Sequence, residues 1–279
     1  MTDSLTKFMN KTYFKQIGSE FDYLRDCIEI LIKNYQKDFK TVDDEFNVKI
    51  NELKASGEYD KPLHEVHSPD VTFGQMMEYN LSEPYINLDL FSGIIIESLI
   101  VKHLAYIEKT LVNLSFIIQK KEKEKIPPDY NTGGKFTDML KAVEYISIIT
   151  EKNLNIQNLK RWKIIKLLRG LRNILAHGNS SFEEKEGIID DINKEIDIIK
   201  KIHIKSVPEP KTSMIFYHIN SDEIKKNEKN IWICSINTDI NVLRNLNKIC
   251  VEFINEVKEI CMVRYKIEDE NYYMVKKNE

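Results

Sequence analysis

The chain has 279 residues, of which 42% are hydrophobic and 30% charged, enough apolar material for one large domain or two smaller ones. No segment approaches the run of about 18 uncharged apolar residues that a membrane span needs, and "MTDSLTKFMNKTYF" lacks the layout of a secretion signal, so a soluble, cytoplasmic protein is expected. A formal charge of -3 and a pI near 6.1 exclude a chain coated in positive charge for nucleic-acid binding, and leave a local basic patch open.

Residues 12–55 carry apolar side chains at helical spacing (Tyr13, Phe14, Ile17, Phe21, Leu24 and Ile28 among them), which predicts one or two long helices. "SGEYDKPLHEVHSPDVTFGQ" breaks that periodicity with Gly57, Pro62, Pro69 and Gly74 and reads as a loop. The most apolar helix is predicted from Leu88 to about Lys120. It is hydrophobic around most of its circumference, which suits the centre of a bundle.

The charged run "KKEKEKIPPDYNTGG" ends it as a surface loop. A third helix is predicted in "FTDMLKAVEYISIIT", and a fourth from about Ile156 to His177, closed by Gly178 where a left-handed cap is favoured. A fifth is predicted in "EEKEGIIDDINKEIDIIKKI". After "KSVPEPK", the segments "TSMIFYHIN" and "NIWICSINT" read as two short strands, paired as a hairpin, before a last helix from about Ile240 to Tyr265.

The expected fold is therefore mainly α: an up-and-down helical bundle with long N-terminal helices and a small C-terminal segment holding a hairpin and a helix. Residues 1–84 form an N-terminal extension in this reading, 85–205 a helical core and 206–279 an appendage, with "VPEP" marking the last boundary.

Most of the residue types that carry chemistry are poorly placed for it. The four cysteines (Cys27, Cys234, Cys250, Cys261) have no CxxC spacing, and Cys250 and Cys261 share one face of a predicted helix, as core thiols do. "LHEVHSPD" offers His64, Glu65 and His67 without HExxH spacing, in a loop, so no metal is expected. "NTGGKFTD" lacks the spacing of a phosphate-binding loop.

One stretch stands apart. From Lys152 to Phe182 there is no Asp or Glu, while Lys160, Arg161, Lys163, Lys166, Arg169 and Arg172 crowd together. Such a stripe fits a solvated helix face as well as a nucleic-acid surface. Within it, "RGLRNILAHGNSS" sets Arg172, Asn173 and His177 among aliphatic residues. At 100° per residue, Lys166, Arg169, Asn173 and His177 form a polar line, flanked by Arg172, while Leu168, Leu171 and Leu175 face inward.

A cation, an amide and an imidazole around one small acceptor suit RNA cleavage. RNA carries its own nucleophile, the 2′-hydroxyl, so the reaction needs proton transfer and stabilisation of a phosphorane, with no obligatory metal. A histidine titrating near neutrality can move the proton, and an arginine can hold phosphate oxygens. Asn173 would orient His177 one helical turn away or hold a phosphate oxygen. Lys163, Lys166 and Arg169 would attract the RNA backbone.

At these residues the chain resembles the HEPN superfamily, all-helical proteins whose signature is an arginine, a polar residue, three variable positions and a histidine, here "RNILAH". The resemblance covers roughly residues 85–205 and extends to an earlier helix with an acidic residue before an aliphatic turn. "AYIEKTLVNL" is similar to that element, with Glu108 matching best and Glu97 second.

The resemblance implies a metal-independent, cofactor-free endoribonuclease of toxin–antitoxin, abortive-infection or anti-phage type. It implies a homodimer in which two motifs face each other, so that two histidines provide an acid and a base, and an antitoxin or other defence partner. It further implies that Arg172 contacts the scissile phosphate, His177 is the acid/base, Asn173 supports them and Glu108 orients them. The rival expectation is a non-catalytic helical module of the same fold that binds RNA, a nucleotide or a protein.

Overall fold

A computed structural model of the protein describes residues 13–62, 71–128, 138–176, 181–183, 188–204 and 231–265. The fold is mainly helical. It begins with one helix of 42 residues, α1 (Phe14–Ala55), rather than two. Phe14, Ile17, Phe21, Leu24, Ile28 and Ile32 recur every three or four residues and form one buried row, so the first half of α1 is bound to the core.

Beyond Ile32, only Ile50 is buried on α1, and the helix runs on at the surface. It stops in a Schellman motif. The Gly57 N–H donates to the Lys54 carbonyl and the Glu58 N–H to the Leu53 carbonyl, with Gly57 at φ 71°, a backbone state that glycine adopts without a Cβ penalty.

The stretch read as a loop to Gln75 gives way earlier, to α2 (Phe73–Leu81). Thr72 and Gln75 make a reciprocal capping box, in which each side chain accepts the other's backbone N–H, at 3.2 and 2.9 Å. Gly74 sits so close to Tyr59 that a Cβ there would lie 2.3 Å from its ring, which is why the smallest residue occupies the first turn. The loop histidines His64 and His67, and Glu65, lie outside the described residues, as does Gly133-Gly134-Lys135.

The central helix α3 (Glu83–Lys121) starts five residues before its predicted position, with a proline in its first turn, where a missing N–H costs nothing. Ile96, Ile100, Leu104, Ile107, Leu111, Leu114 and Ile118 are all buried along it. No 18-residue window of this region is free of charged residues, as the sequence reading has it. Phe73–Lys121 includes a stretch of mean hydropathy 1.6, long and apolar enough to cross a membrane by length and composition, of which 33% is buried in the fold.

Next come α4 (Met139–Ile149), a 3-10 turn (Ile156–Asn158) and α5 (Trp162–Ala176). The predicted fifth helix is largely replaced. Among the described residues there, only α6 (Ile188–Asn193) is helical, between strands β1 (Ser181–Glu183) and β2 (Ile199–Ile204). The isoleucine-rich run satisfies a helical period and a strand alike, and its β-branched residues favour the strand.

Asn193 settles where the change occurs. Its Nδ2 donates to the Ile199 carbonyl at 2.7 Å and its Oδ1 accepts the Ile199 N–H at 3.1 Å, which ends α6 and anchors β2. Strand β3 (Ile231–Ile236) confirms the strand read in "NIWICSINT". Its described partners, however, are β1 and β2, in the antiparallel order β1-β3-β2, and not a hairpin mate in "TSMIFYHIN", which lies outside the described residues.

The closing helix α7 (Val242–Tyr265) buries Leu243, Leu246, Cys250, Phe253, Val257 and Cys261, so the two cysteines read as core thiols are that. Burial pushes the Cys261 thiol up to about 12, and that of Cys250 higher still, which leaves both unreactive. Residues from all three sequence segments, 1–84, 85–205 and 206–279, share one hydrophobic core.

A buried polar pair crosses this core. His103 of α3 lies with its Nδ1 2.7 Å from the Leu99 carbonyl and its Nε2 3.1 Å from the Asn247 side-chain oxygen on α7. A neutral ring that donates from Nδ1 needs a donor at Nε2, which a half-turn of the Asn247 amide supplies. The ring as a cation matches the amide oxygen instead.

Burial opposes the cation and holds the His103 pKa below its ordinary value of 6.5. The unfolded chain therefore binds this proton more readily. Stability is fully present above about pH 6.5 and declines as pH falls from there toward the lower folded value. Urea unfolding from pH 7.5 to 5 should show this decline in the wild type and a shallower one in His103→Gln; equal slopes would mean that His103 does not titrate on unfolding.

Candidate active site

Helix α5 presents two faces. Trp162, Ile164, Ile165, Leu168, Leu171 and Leu175 enter the core, while Arg169, Arg172 and Asn173 are left half-buried at its edge and Lys163 and Lys166 are exposed. The apolar face fixes the rotation of the helix, so the polar residues have one direction in which to point. At its start, the Arg161 N–H donates to a Glu256 carboxylate oxygen at 3.2 Å, and the Arg161 guanidinium pairs with Glu252. Two acids of α7 therefore hold the α5 N-terminus, where a negative charge meets the positive end of the helix dipole.

Arg172 is the most constrained of the polar set. Its Nη1 donates to Glu108 of α3 at 2.8 Å, and its Nε and Nη2 both donate to the Asn173 side-chain oxygen, at 3.2 and 3.0 Å. Both charged side chains of the Arg172–Glu108 pair are about one-fifth exposed (19% and 21%), so the pair is screened far less than a surface one. Three of the five guanidinium N–H bonds are thus engaged among the described residues, and two are left for an incoming acceptor.

The other oxygen of Glu108 accepts the Met139 N–H, at 3.4 Å, at the start of α4. Of the two acids that the sequence offered for this role, Glu108 therefore reaches Arg172. Glu97, eleven positions earlier, has no ionic partner among the described residues, and burial pushes its carboxyl above the ordinary range.

Asp138 was not among the residues singled out from sequence. It caps α4 by accepting the Leu140 N–H at 2.9 Å and pairs with Arg169 at 3.3 Å. Two arginines three places apart on α5 thus meet two carboxylates gathered at the start of α4. The signal for Asp138 was there in "FTDML", an aspartate just ahead of an apolar helix, but it points to capping and not to a partner. The Nε of Arg169 is buried with no partner among the described residues.

The acid-free stripe is not acid-free in space. Lys163 meets Asp191 of α6 at 2.6 Å, with Lys194 on the same carboxylate, and Arg169 is taken by Asp138. Of the three residues expected to attract an RNA backbone, Lys166 alone has no carboxylate partner among the described residues. His177 lies outside the described residues, one position past the last residue of α5.

The Glu108–Arg172 pair is intermediate between an exposed ion pair and a fully buried one. Removing either partner leaves a half-desolvated charge, so Glu108→Ala and Arg172→Ala should each cost about 1–3 kcal/mol of stability. Urea unfolding of both single variants and the double variant should give a coupling of roughly 1 kcal/mol or more. Additive effects would mean that the two side chains do not interact in solution.

Compared with protein-family models, with curated proteins and with solved structures, the chain matches none of them.

Proposed function

We propose that the chain is a metal-independent endoribonuclease, acting as a toxin or anti-phage effector and cleaving RNA by attack of the 2′-hydroxyl. The observation that carries this reading is Arg172: a guanidinium clamped by Glu108 and Asn173, with donors to spare, on the same stretch of chain as His177. A clamped cation needs no reorganisation when charge builds on a phosphorane, which is where electrostatic stabilisation contributes most.

In this mechanism His177 takes the proton from the 2′-oxygen as that oxygen bonds to phosphorus. The bond from phosphorus to the 5′-oxygen breaks, and the leaving oxygen receives a proton. The products are a 2′,3′-cyclic phosphate and a free 5′-hydroxyl. Two copies of the motif facing each other would supply the base and the acid together, in line with the homodimer that the resemblance implies.

A second reading, a non-catalytic module of the same fold, is favoured by one observation. The Lys163–Asp191 and Arg169–Asp138 pairs neutralise much of the positive charge that would draw in RNA. Incubating the protein with total RNA in EDTA separates the two. Fragments ending in 2′,3′-cyclic phosphate support the nuclease; intact RNA in the presence of measurable binding supports the module.

A further inference from the structure

The three cations of α5 that meet acids among the described residues are not held equally. Arg172 is clamped by Glu108 at 2.8 Å and by Asn173 at 3.2 and 3.0 Å, and Lys163 sits 2.6 Å from Asp191. Arg169 is held by one nitrogen. Its Nη2 alone reaches Asp138, at 3.4 and 3.3 Å to the two carboxylate oxygens, where charge-assisted bonds ordinarily run at about 2.7–2.9 Å. Its Nε is buried with no partner among the described residues.

A buried N–H without an acceptor is costly, so the resting place of Arg169 fits it poorly. An acceptor that took Nε and Nη2 together would draw the side chain away from Asp138. A phosphate does this, because its oxygens match one edge of a guanidinium bidentately.

Asp138 gives up little in the exchange. One of its oxygens accepts the Leu140 N–H at 2.9 Å, at the positive end of the α4 dipole, so its charge stays compensated when Arg169 leaves. Arg172 lies three positions further along α5, a spacing that sets Cβ atoms about 5–6 Å apart on a helix. The two guanidinium groups are therefore close enough to hold one phosphate, or two that adjoin along a strand.

We infer that Asp138 is a releasable catch, which keeps Arg169 out of use at rest and yields it to a phosphate of the bound strand, beside Arg172. Asp138 is thus a positioning residue that acts through Arg169. A pair that opens on contact neutralises the basic stripe only in the free protein. The identity of the strand as RNA rests on the proposed function; the release of Arg169 requires nothing of the cleavage chemistry.

The test is binding of a short 2′-O-methyl oligouridylate, which has the phosphates of RNA without its nucleophile, between about 50 and 200 mM salt. The full chain is compared as wild type, Asp138→Asn, Arg169→Gln and the double variant, with circular dichroism and urea midpoints to verify the fold. Asparagine caps a helix about as well as aspartate, so Asp138→Asn removes the catch and keeps the start of α4. Asp138→Asn should bind about fivefold tighter than wild type, the worth of a moderate ion pair. Arg169→Gln should bind more weakly, with a log–log salt slope smaller by about 0.7. In the Arg169→Gln background, Asp138→Asn should change affinity by less than about twofold.

An equal gain from Asp138→Asn in both backgrounds overturns the inference, since the lost charge then acts at a distance and not through Arg169. Wild-type affinity in Asp138→Asn overturns it too, as does a wild type that leaves the oligouridylate unbound at the lowest salt. The nuclease reading is judged apart, on RNA that keeps its 2′-hydroxyl. Cleavage with unchanged KM and kcat in both single variants keeps the nuclease and removes the catch; the expected binding pattern with RNA left intact does the reverse.

Discussion

His177→Ala should reduce RNA cleavage by about 10²–10⁴-fold, the range lost when a general acid–base catalyst is removed. The circular dichroism and urea midpoint should stay close to those of the wild type if the histidine serves chemistry, since the core face of α5 is supplied by Trp162, Ile164, Ile165, Leu168, Leu171 and Leu175. Arg172→Ala should lose activity too, but with the stability cost of an orphaned Glu108, so the two variants separate chemistry from scaffolding. Cleavage that survives His177→Ala at the wild-type rate would remove the proposed mechanism.

Phe253→Ala should have the largest effect on stability. Its ring is fully buried and stacks on Trp162, with centroids 5.9 Å apart at an interplanar angle of 26°. Truncating such a side chain loses the transfer free energy and leaves a cavity, about 3–5 kcal/mol in all, against a typical total of about 5–15 kcal/mol. Trp162 opens α5, so this contact also fixes the start of the helix that carries Arg172.

Urea unfolding followed by circular dichroism should show a sharply lowered midpoint with an unchanged m-value. A loss under about 1 kcal/mol would mean that the α5–α7 contact relaxes around the cavity.

The residues that were legible in the sequence are those whose signal is local. The buried row of α1 from Phe14 to Ile32 and the core row of α3 follow from helical spacing, and Arg172 and Asn173 stand out as polar residues on an otherwise apolar helix. What stayed hidden depends on the third dimension. No pattern in residues 152–182 announces that Asp191, Asp138 and Glu108 come from other elements to meet its cations.

The choice between Glu108 and Glu97 was open for the same reason, since both are acids on one apolar helix and only distance to Arg172 separates them. At β2, the local signal was itself ambiguous. A run such as "IDIIKKIHI" satisfies both periods, and the outcome turns on Asn193 bonding to Ile199, six residues away.

Helix α7 closes over α1 and α3, and Arg244 clasps Glu29 from 215 residues further along the chain. Contacts of such long range raise the contact order and slow the search for the native topology. A nascent chain on the ribosome must expose the parts of α1 and α3 that α7 covers until α7 emerges from the exit tunnel. That interval is when binding by chaperones, or aggregation, competes most strongly with folding.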